Sequence, residues 1–254
     1  LAMAMRLRAH EATVLLERKG HARAAGLISS VLISELNAPW QASVPALKAW
    51  TATMRKAQAR HRWHPKGDWP YAEIEVESGD SLTLIRHRFL AQFPDKRICT
   101  GLIQRANGMS SDMIHPGDRL RIPTDEVTLL ADLDSHWLLY MIDGEVCDSW
   151  YTGIGAPDDP TITGNFTIGE KEAEPAWFRK GEQPIFYGEE GNALGTHYLA
   201  WYADDVKTHY GFHGTWEPES IGKDESAGCI RMANDDVKVL FEITPVGTPF
   251  VVQP

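Results

Sequence analysis

Two periodicities that cannot share one layer of structure divide this 254-residue chain. Residues 9–60 hold few chain breakers, and Val14, Leu15, Ala22, Ala25, Leu27, Ile28, Val31, Leu32 and Leu36 recur at helical spacing. This pattern predicts helices over residues 10–19, 21–36 and 44–60, the first two as a helical hairpin, with Gly20 and Asn37-Ala38-Pro39 as punctuation. From Leu129 onward the text changes to short strand-like runs separated by Gly, Pro and Asp. Residues 136–142 and 145–151 flank Asp143-Gly144, a strong hairpin signal, and further strands are expected at 164–169, 197–201, 211–213 and 250–252, with a helix at 235–242.

Between these regions lies a third pattern. Residues 73–76 alternate like a strand, and Ser78-Gly79-Asp80-Ser81 is a turn whose serine or aspartate can cap a helix over 82–93. A second short helix is expected at 98–106, ending at Asn107-Gly108, and a strand at 119–122 after Pro116-Gly117-Asp118. The expected class is α+β multidomain: a helical region at 1–64, a linker at 65–70, a small βααβ module at 71–123 and a mainly-β domain at 124–254.

Composition narrows the function. Hydrophobic residues at 43% and charged residues at 24% are globular values, and no apolar run reaches the eighteen residues a spanning helix needs. A net charge of −10, with 25 basic against 35 acidic residues, opposes nucleic-acid binding. Arg55, Lys56, Arg60, Arg62 and Lys66 crowd together, which reads as a solvated helix face in preference to an anion-binding patch. His61 and His64 stand three apart, but Pro65 and Gly67 break the helix and no further ligand lies near, so no metal site is expected. Gly153-x-Gly155 is followed by Pro157 and no helix, which rejects a dinucleotide loop.

Three cysteines are too few for a disulfide framework and leave at least one thiol free, while pairing of Cys99 with Cys147 stays open. The chain starts at Leu1 without an initiator Met or a recognisable signal peptide, as a truncated or processed product would.

The chemistry concentrates in residues 210–234, YGFHGTWEPESIGKDESAGCIRMAN, where Cys229 follows His213 by sixteen positions. A thiol nucleophile needs a base within reach and surroundings that favour the thiolate. His213 can be that base, and Gly214 leaves the backbone open so that a main-chain carbonyl could fix the imidazole tautomer. Gly228 admits a close substrate carbonyl, and the N–H groups of Gly228 and Cys229 form a candidate oxyanion hole.

The pattern His-Gly, eleven residues, then Ser-x-Gly-Cys-Ile-Arg-Met-x-Asn resembles the L,D-transpeptidase (YkuD) family of cell-wall cross-linking enzymes. The resemblance extends to GIGAPDDPTITGNF at 153–166, NALGTHY at 192–198 and VGTPFVV at 246–252, and covers roughly residues 129–253. Ala227 stands where many members carry histidine, and Ile162 where proline is common. Residues 71–123, from VESGDSLTLI to IHPGDRLRIP, are similar to a LysM module. That likeness implies binding of N-acetylglucosamine-containing glycan by residues near Asp80, Ser81 and the Asn107 turn, unless the module is a docked spacer.

The resemblance implies a peptidoglycan L,D-transpeptidase. Cys229 would attack the carbonyl between the third stem residue and terminal D-alanine, His213 would move the proton, and a neighbouring amine would resolve the thioester into a 3→3 cross-link without ATP or other cofactor. The Gly214 carbonyl would orient the base, with Ser226, Arg231, Trp216, Tyr198 and Asn234 as candidate substrate-binding residues. Arg231 either holds a substrate carboxylate or braces the loop, and Trp216 equally suits packing. The expected partners are stem peptides and glycan strands in an extracytoplasmic setting, periplasmic or wall-associated, with a role in cell shape and any membrane anchor ahead of Leu1. The alternatives are an L,D-carboxypeptidase or cross-link hydrolase using the same Cys-His site, and a noncatalytic peptidoglycan-binding protein.

Overall fold

The computed structural model describes residues 2–36, 43–67, 69–178, 181 and 183–254. The expected Asn37-Ala38-Pro39 break lies outside them, as does residue 68 of the expected linker. The chain divides into two compact units, residues 1–128 with 139–149, and residues 129–138 with 150–254.

In the first unit, α1 (Ala2–Glu17), α2 (His21–Leu36) and α3 (Val44–His61) follow one another. α2 begins and ends where the periodicity puts it, and α1 starts eight residues before the expected residue 10. The turn after α1 is closed by Lys19 at φ 61°, while Gly20 donates its N–H back to the Leu15 carbonyl at 2.8 Å. Ala24, Ala25 and Ala57 are fully buried with Leu15 and Leu16 packed over them, small side chains letting α2 and α3 approach closely.

One face of α3 is polar where it would be expected to be apolar. Thr51, Arg55, Gln58 and Arg62 fall at i, i+4, i+7 and i+11, a single stripe. The Thr51 hydroxyl meets Ser149 Oγ at 2.7 Å, Arg55 Nε donates to Asp148 Oδ1 at 2.7 Å, and Gln58 Nε2 donates to Glu145 Oε1 at 2.6 Å and to the Val146 carbonyl at 3.0 Å. Arg62 Nη1 reaches Asp125 Oδ2 at 3.1 Å. Arg55 and Arg62 are therefore bound internally, which corrects their reading as a solvated face. The partners of Thr51, Arg55 and Gln58 lie on β5 (Glu145–Tyr151), which a two-residue turn joins to β4 (Trp137–Ile142), and that of Arg62 lies just before β3 (Val127–Asp132). With Ser29 Oγ accepting the Val146 N–H at 2.8 Å, helices α2 and α3 occupy backbone groups along that strand.

The same unit holds β1 (Tyr71–Glu75), α4 (Leu82–Gln92), α5 (Thr100–Ala106) and β2 (Arg119–Pro123), with β1 and β2 antiparallel. Ser81 caps α4, accepting the Leu84 N–H at 3.3 Å. Asn107 is spent internally: its amide donates to the Ile103 and Arg121 carbonyls and accepts the Arg121 N–H, all at 2.8–2.9 Å. The Asp80 carboxylate is held by the Glu77 N–H and by Arg88. Of the three expected glycan contacts, Ser81 alone lines an open depression, about 320 Å³ in volume, with Thr83, Thr100, Gln104 and Asp112. The stretch read as a linker is docked through Arg121, which lies over the Trp69 ring at 4.5 Å and donates to the Pro65 carbonyl at 2.8 Å. Just outside it, Arg105 lies over Trp63 at 4.8 Å and Arg121 over Tyr71 at 3.6 Å.

The second unit is mainly β. It contains most of β3 (Val127–Asp132), then β6 (Ile154–Gly155), β7 (Gly164–Ala173), β8 (His197–Ala203), β9 (Val206–His213), β10 (Asp224–Ser226), β11 (Ile230–Arg231), α6 (Asn234–Ile243) and β12 (Pro249–Gln253). Six of these strands stand in the order β11-β9-β8-β7-β12-β3. β12 runs parallel to β3 and antiparallel to β7, β7, β8 and β9 alternate antiparallel, and β11 is parallel to β9. Phe166, Trp201, Phe212 and Phe250 form a buried aromatic cluster with ring centroids 5.0–5.4 Å apart. α6 buries Val237, Leu240 and Ile243, and Lys171 seals its last turn by donating to the Phe241 and Thr244 carbonyls. Among the described residues no helix is long and apolar enough to cross a membrane.

Candidate active site

The site is built where β9 ends beside β11. Phe212 and Ile230 pair in register and are fully buried, so the neighbouring pair, His213 and Arg231, must share the opposite face. Tyr198 on β8 also pairs with His213, which gives a row Tyr198–His213–Arg231 across three strands. Cys229 stands in the bend immediately before β11, one residue ahead of Ile230, with its thiol directed to the His209 carbonyl of β9. The parallel pairing of β11 with β9 is thus what closes the sixteen-residue gap between the histidine and the cysteine.

His213 is 4% exposed, and its Nδ1 donates to the Gly214 carbonyl at 2.6 Å. That bond leaves Nε2 as the atom able to take a proton. The carbonyl is itself held. Asn234 Oδ1 accepts the N–H groups of Thr215 at 3.1 Å and Thr196 at 3.2 Å, binding the loop after β9 to the loop before β8. A Cβ on Gly214 would lie 2.1 Å from Asn234 Oδ1, and one on Gly195 would lie 2.4 Å from it, so both glycines are required by the close approach. Asn234, expected at the substrate, spends its Oδ1 on the Thr196 and Thr215 N–H groups.

Cys229 is half-buried, with its thiol directed to the His209 carbonyl at 3.7 Å. Among the described residues no hydrogen bond joins Sγ to His213. Burial pushes the thiol up to about 11, against partial opposition from the Gly211 backbone and Arg231. Burial likewise pushes His213 down to about 4, with the Gly214 carbonyl opposing and Arg231 assisting. Burial thus favours the uncharged form of each group taken singly.

The loop around the sulfur is set by its neighbours. Gly228 adopts φ +94°, and a Cβ there would lie 2.6 Å from the Tyr210 ring. Ser226, expected at the substrate, is buried and donates its hydroxyl to the Cys229 carbonyl at 2.5 Å, so it braces the turn that presents the nucleophile. The Tyr198 ring lies across Gly211 and its hydroxyl donates to the Tyr210 carbonyl at 3.2 Å, while burial raises its pKa above the ordinary tyrosine value. No disulfide joins Cys99, Cys147 or Cys229, and burial pushes the Cys147 thiol up to about 12.

Arg231 Nη1 donates to Glu217 Oε2 at 3.2 Å. Both line a cavity of about 750 Å³ with Trp177, Glu189, Thr215 and the half-exposed Trp216. Cys229 and His213 are not among its lining residues; Arg231 is the link between them and the cavity. Glu217, Trp177 and Glu189 escape a reading of sequence because they sit on loops whose return to β11 depends on the whole sheet. No group of three or more potential metal-ligating side chains occurs among the described residues.

Comparison with known proteins places this geometry. YqjB of Bacillus subtilis strain 168, whose name gives L,D-transpeptidase as a provisional assignment, is 38% identical over 112 residues, spanning 44% of this chain and 62% of that protein. YkuD of the same strain, named in the same provisional way, is 29% identical over 180 residues, spanning 68% of this chain and 94% of that protein. A solved L,D-transpeptidase from Mycobacterium smegmatis covers 54% of this chain and 64% of its own at 24% identity and a TM-score of 0.42, and the assignment does not rest on it. Residues 74–123 match the LysM domain, and residues 126–252, half of the chain, match YkuD, the L,D-transpeptidase catalytic domain. The chain belongs to the YkuD family of L,D-transpeptidase catalytic domains, here preceded by a LysM domain.

Proposed function

We propose that the protein is a cysteine-dependent peptidoglycan L,D-transpeptidase that forms 3→3 cross-links. The observation that carries the reading is the parallel pairing of β11 with β9, which brings the bend bearing Cys229 to the strand that ends in His213, whose imidazole tautomer is fixed by the Gly214 carbonyl. Burial disfavours charge on each group taken singly, which supports a proton transfer that accompanies the attack of sulfur.

In the first step Cys229 Sγ forms a bond to the carbonyl carbon after the third stem residue. The thiol proton passes to His213 and then to the departing D-alanine amine as the C–N bond breaks. The N–H groups of Gly228 and Cys229 stabilise the oxyanion. In the second step an amine of a neighbouring stem attacks the thioester, the C–S bond breaks, and one amine proton returns through His213 to sulfur. The thioester conserves the energy of the cleaved amide, so no cofactor enters. The LysM domain supplies glycan binding beside the catalytic domain, which fits an extracytoplasmic protein of the cell wall.

Purified disaccharide-tetrapeptide tests the reading by mass. Dimers and free D-alanine are expected with the parent protein and neither with Cys229→Ala. Tripeptide without dimer would replace transfer by hydrolysis, and unchanged dimer formation by Cys229→Ala would remove the cysteine from the mechanism.

A further inference from the structure

The cavity next to the nucleophile is walled by an ion pair. Arg231 and Glu217 meet at 3.2 Å; the arginine side chain is 14% exposed and the glutamate 66%. Arg231 Nε is buried without a partner among the described residues, so the guanidinium has donors to spare. Trp216 stands 49% exposed on the same wall, its ring 6.0 Å from Tyr187.

This arrangement discriminates between kinds of charge. A lone cation that takes Glu217 strands the shielded Arg231, whereas a lone anion that takes Arg231 satisfies it but leaves the Glu217 contact unused. A group carrying ammonium and carboxylate on one carbon replaces both partners at once. The exchange is neutral, and the exposed Glu217 is the member free to swing.

We propose that the Arg231–Glu217 pair opens to hold the zwitterionic amino-acid end of the acceptor side chain, carboxylate on Arg231, ammonium on Glu217 and methylene arm on Trp216. Its use in catalysis rests on the function proposed above. Arg231 pairs with His213 and lies two residues from Cys229, so a zwitterion held there sits beside the thioester. After losing one proton to solvent, its amine forms the new amide bond while Cys229 sulfur leaves and regains a proton through His213. Water has no charge to offer this pair, which favours amine over water as the resolving nucleophile.

Binding to the Cys229→Ala protein, followed by chemical-shift titration, tests the inference without turnover. D-norleucine, a zwitterion on an apolar arm, is the probe; N-acetyl-D-norleucine lacks the ammonium and D-norleucinamide the carboxylate. Each blocked probe should bind at least about ten-fold more weakly, as expected for loss of one charge-assisted contact. Glu217→Gln should erase the penalty for N-acetylation but keep that for the amide, and Arg231→Gln should do the reverse. No binding of D-norleucine, equal binding of all three probes, or discrimination unchanged in Glu217→Gln overturns the inference. Acyl-enzyme on the parent protein is read separately by mass. Its formation alongside failed discrimination sinks the inference alone, and its absence alongside intact discrimination sinks the proposed function alone.

Discussion

The burial that raises the Cys229 thiol has a direct chemical consequence. Alkylating reagents react with thiolate, and burial holds this thiol near 11 where an ordinary one lies near 9.0. At pH 8 the folded protein should contain roughly a hundred-fold less thiolate than the unfolded chain, and iodoacetamide should modify it correspondingly slowly, accelerating as pH rises toward 11. A rate already flat from pH 5 upward would show a preformed thiolate–imidazolium pair instead. Gly214 gives a second residue-level expectation. Its Cβ would overlap Asn234 Oδ1 at 2.1 Å, so Gly214→Ala must displace the carbonyl that orients His213. Dimer formation should fall on the order of a hundred-fold with thermal stability changed far less, since misplacement by about 1 Å suffices for such a loss.

Among the elements, the helices and strands with strong periodicity were legible, and those defined by long-range pairing were not. α2 and β5 follow their patterns because hydrophobic spacing and the Asp143-Gly144 turn are local signals. β6, β10 and β11 are two or three residues long and exist through partners far away in sequence, so no window of residues announces them. The site shows the same division: His213, Gly214, Gly228 and Cys229 stood out from residue type and spacing, whereas the inward roles of Ser226 and Asn234 needed coordinates. The stripe on α3 misled because Arg55 and Arg62 look like surface charges until β5 and Asp125 are brought to them. Asp148 is the centre of that contact. It is 4% exposed and takes Arg55 at 2.7 Å and Arg105 of α5 at 2.7 Å. Asp148→Ala should cost about 2 kcal/mol in chemical denaturation, less than a fully buried pair because Arg55 is partly solvated. An effect below a few tenths of that would mean that the two arginines are held by other contacts.

For the whole molecule, the compact units do not coincide with the sequence matches. The catalytic-domain match runs over residues 126–252, yet residues 139–149 within it belong with the N-terminal helices and the LysM domain. The apolar content of those helices announced that they would pack; their charged face concealed that they would pack on the β4–β5 hairpin. A cut at residue 124, the expected domain boundary, removes Ser29, Thr51, Arg55 and Gln58 from strand β5. Residues 124–254 alone should therefore elute from size exclusion at rising apparent mass as concentration increases, while the full chain should not. A fragment that stays monomeric at every concentration would show that the strand shields itself.

The helices thus act as a chaperone carried in the same chain. By holding the outer hydrogen-bonding groups of β5, they remove the template on which a second copy could stack. A variant that loses the polar stripe while keeping its helices should fail first by precipitating during expression, well before any loss shows in the chemistry at Cys229.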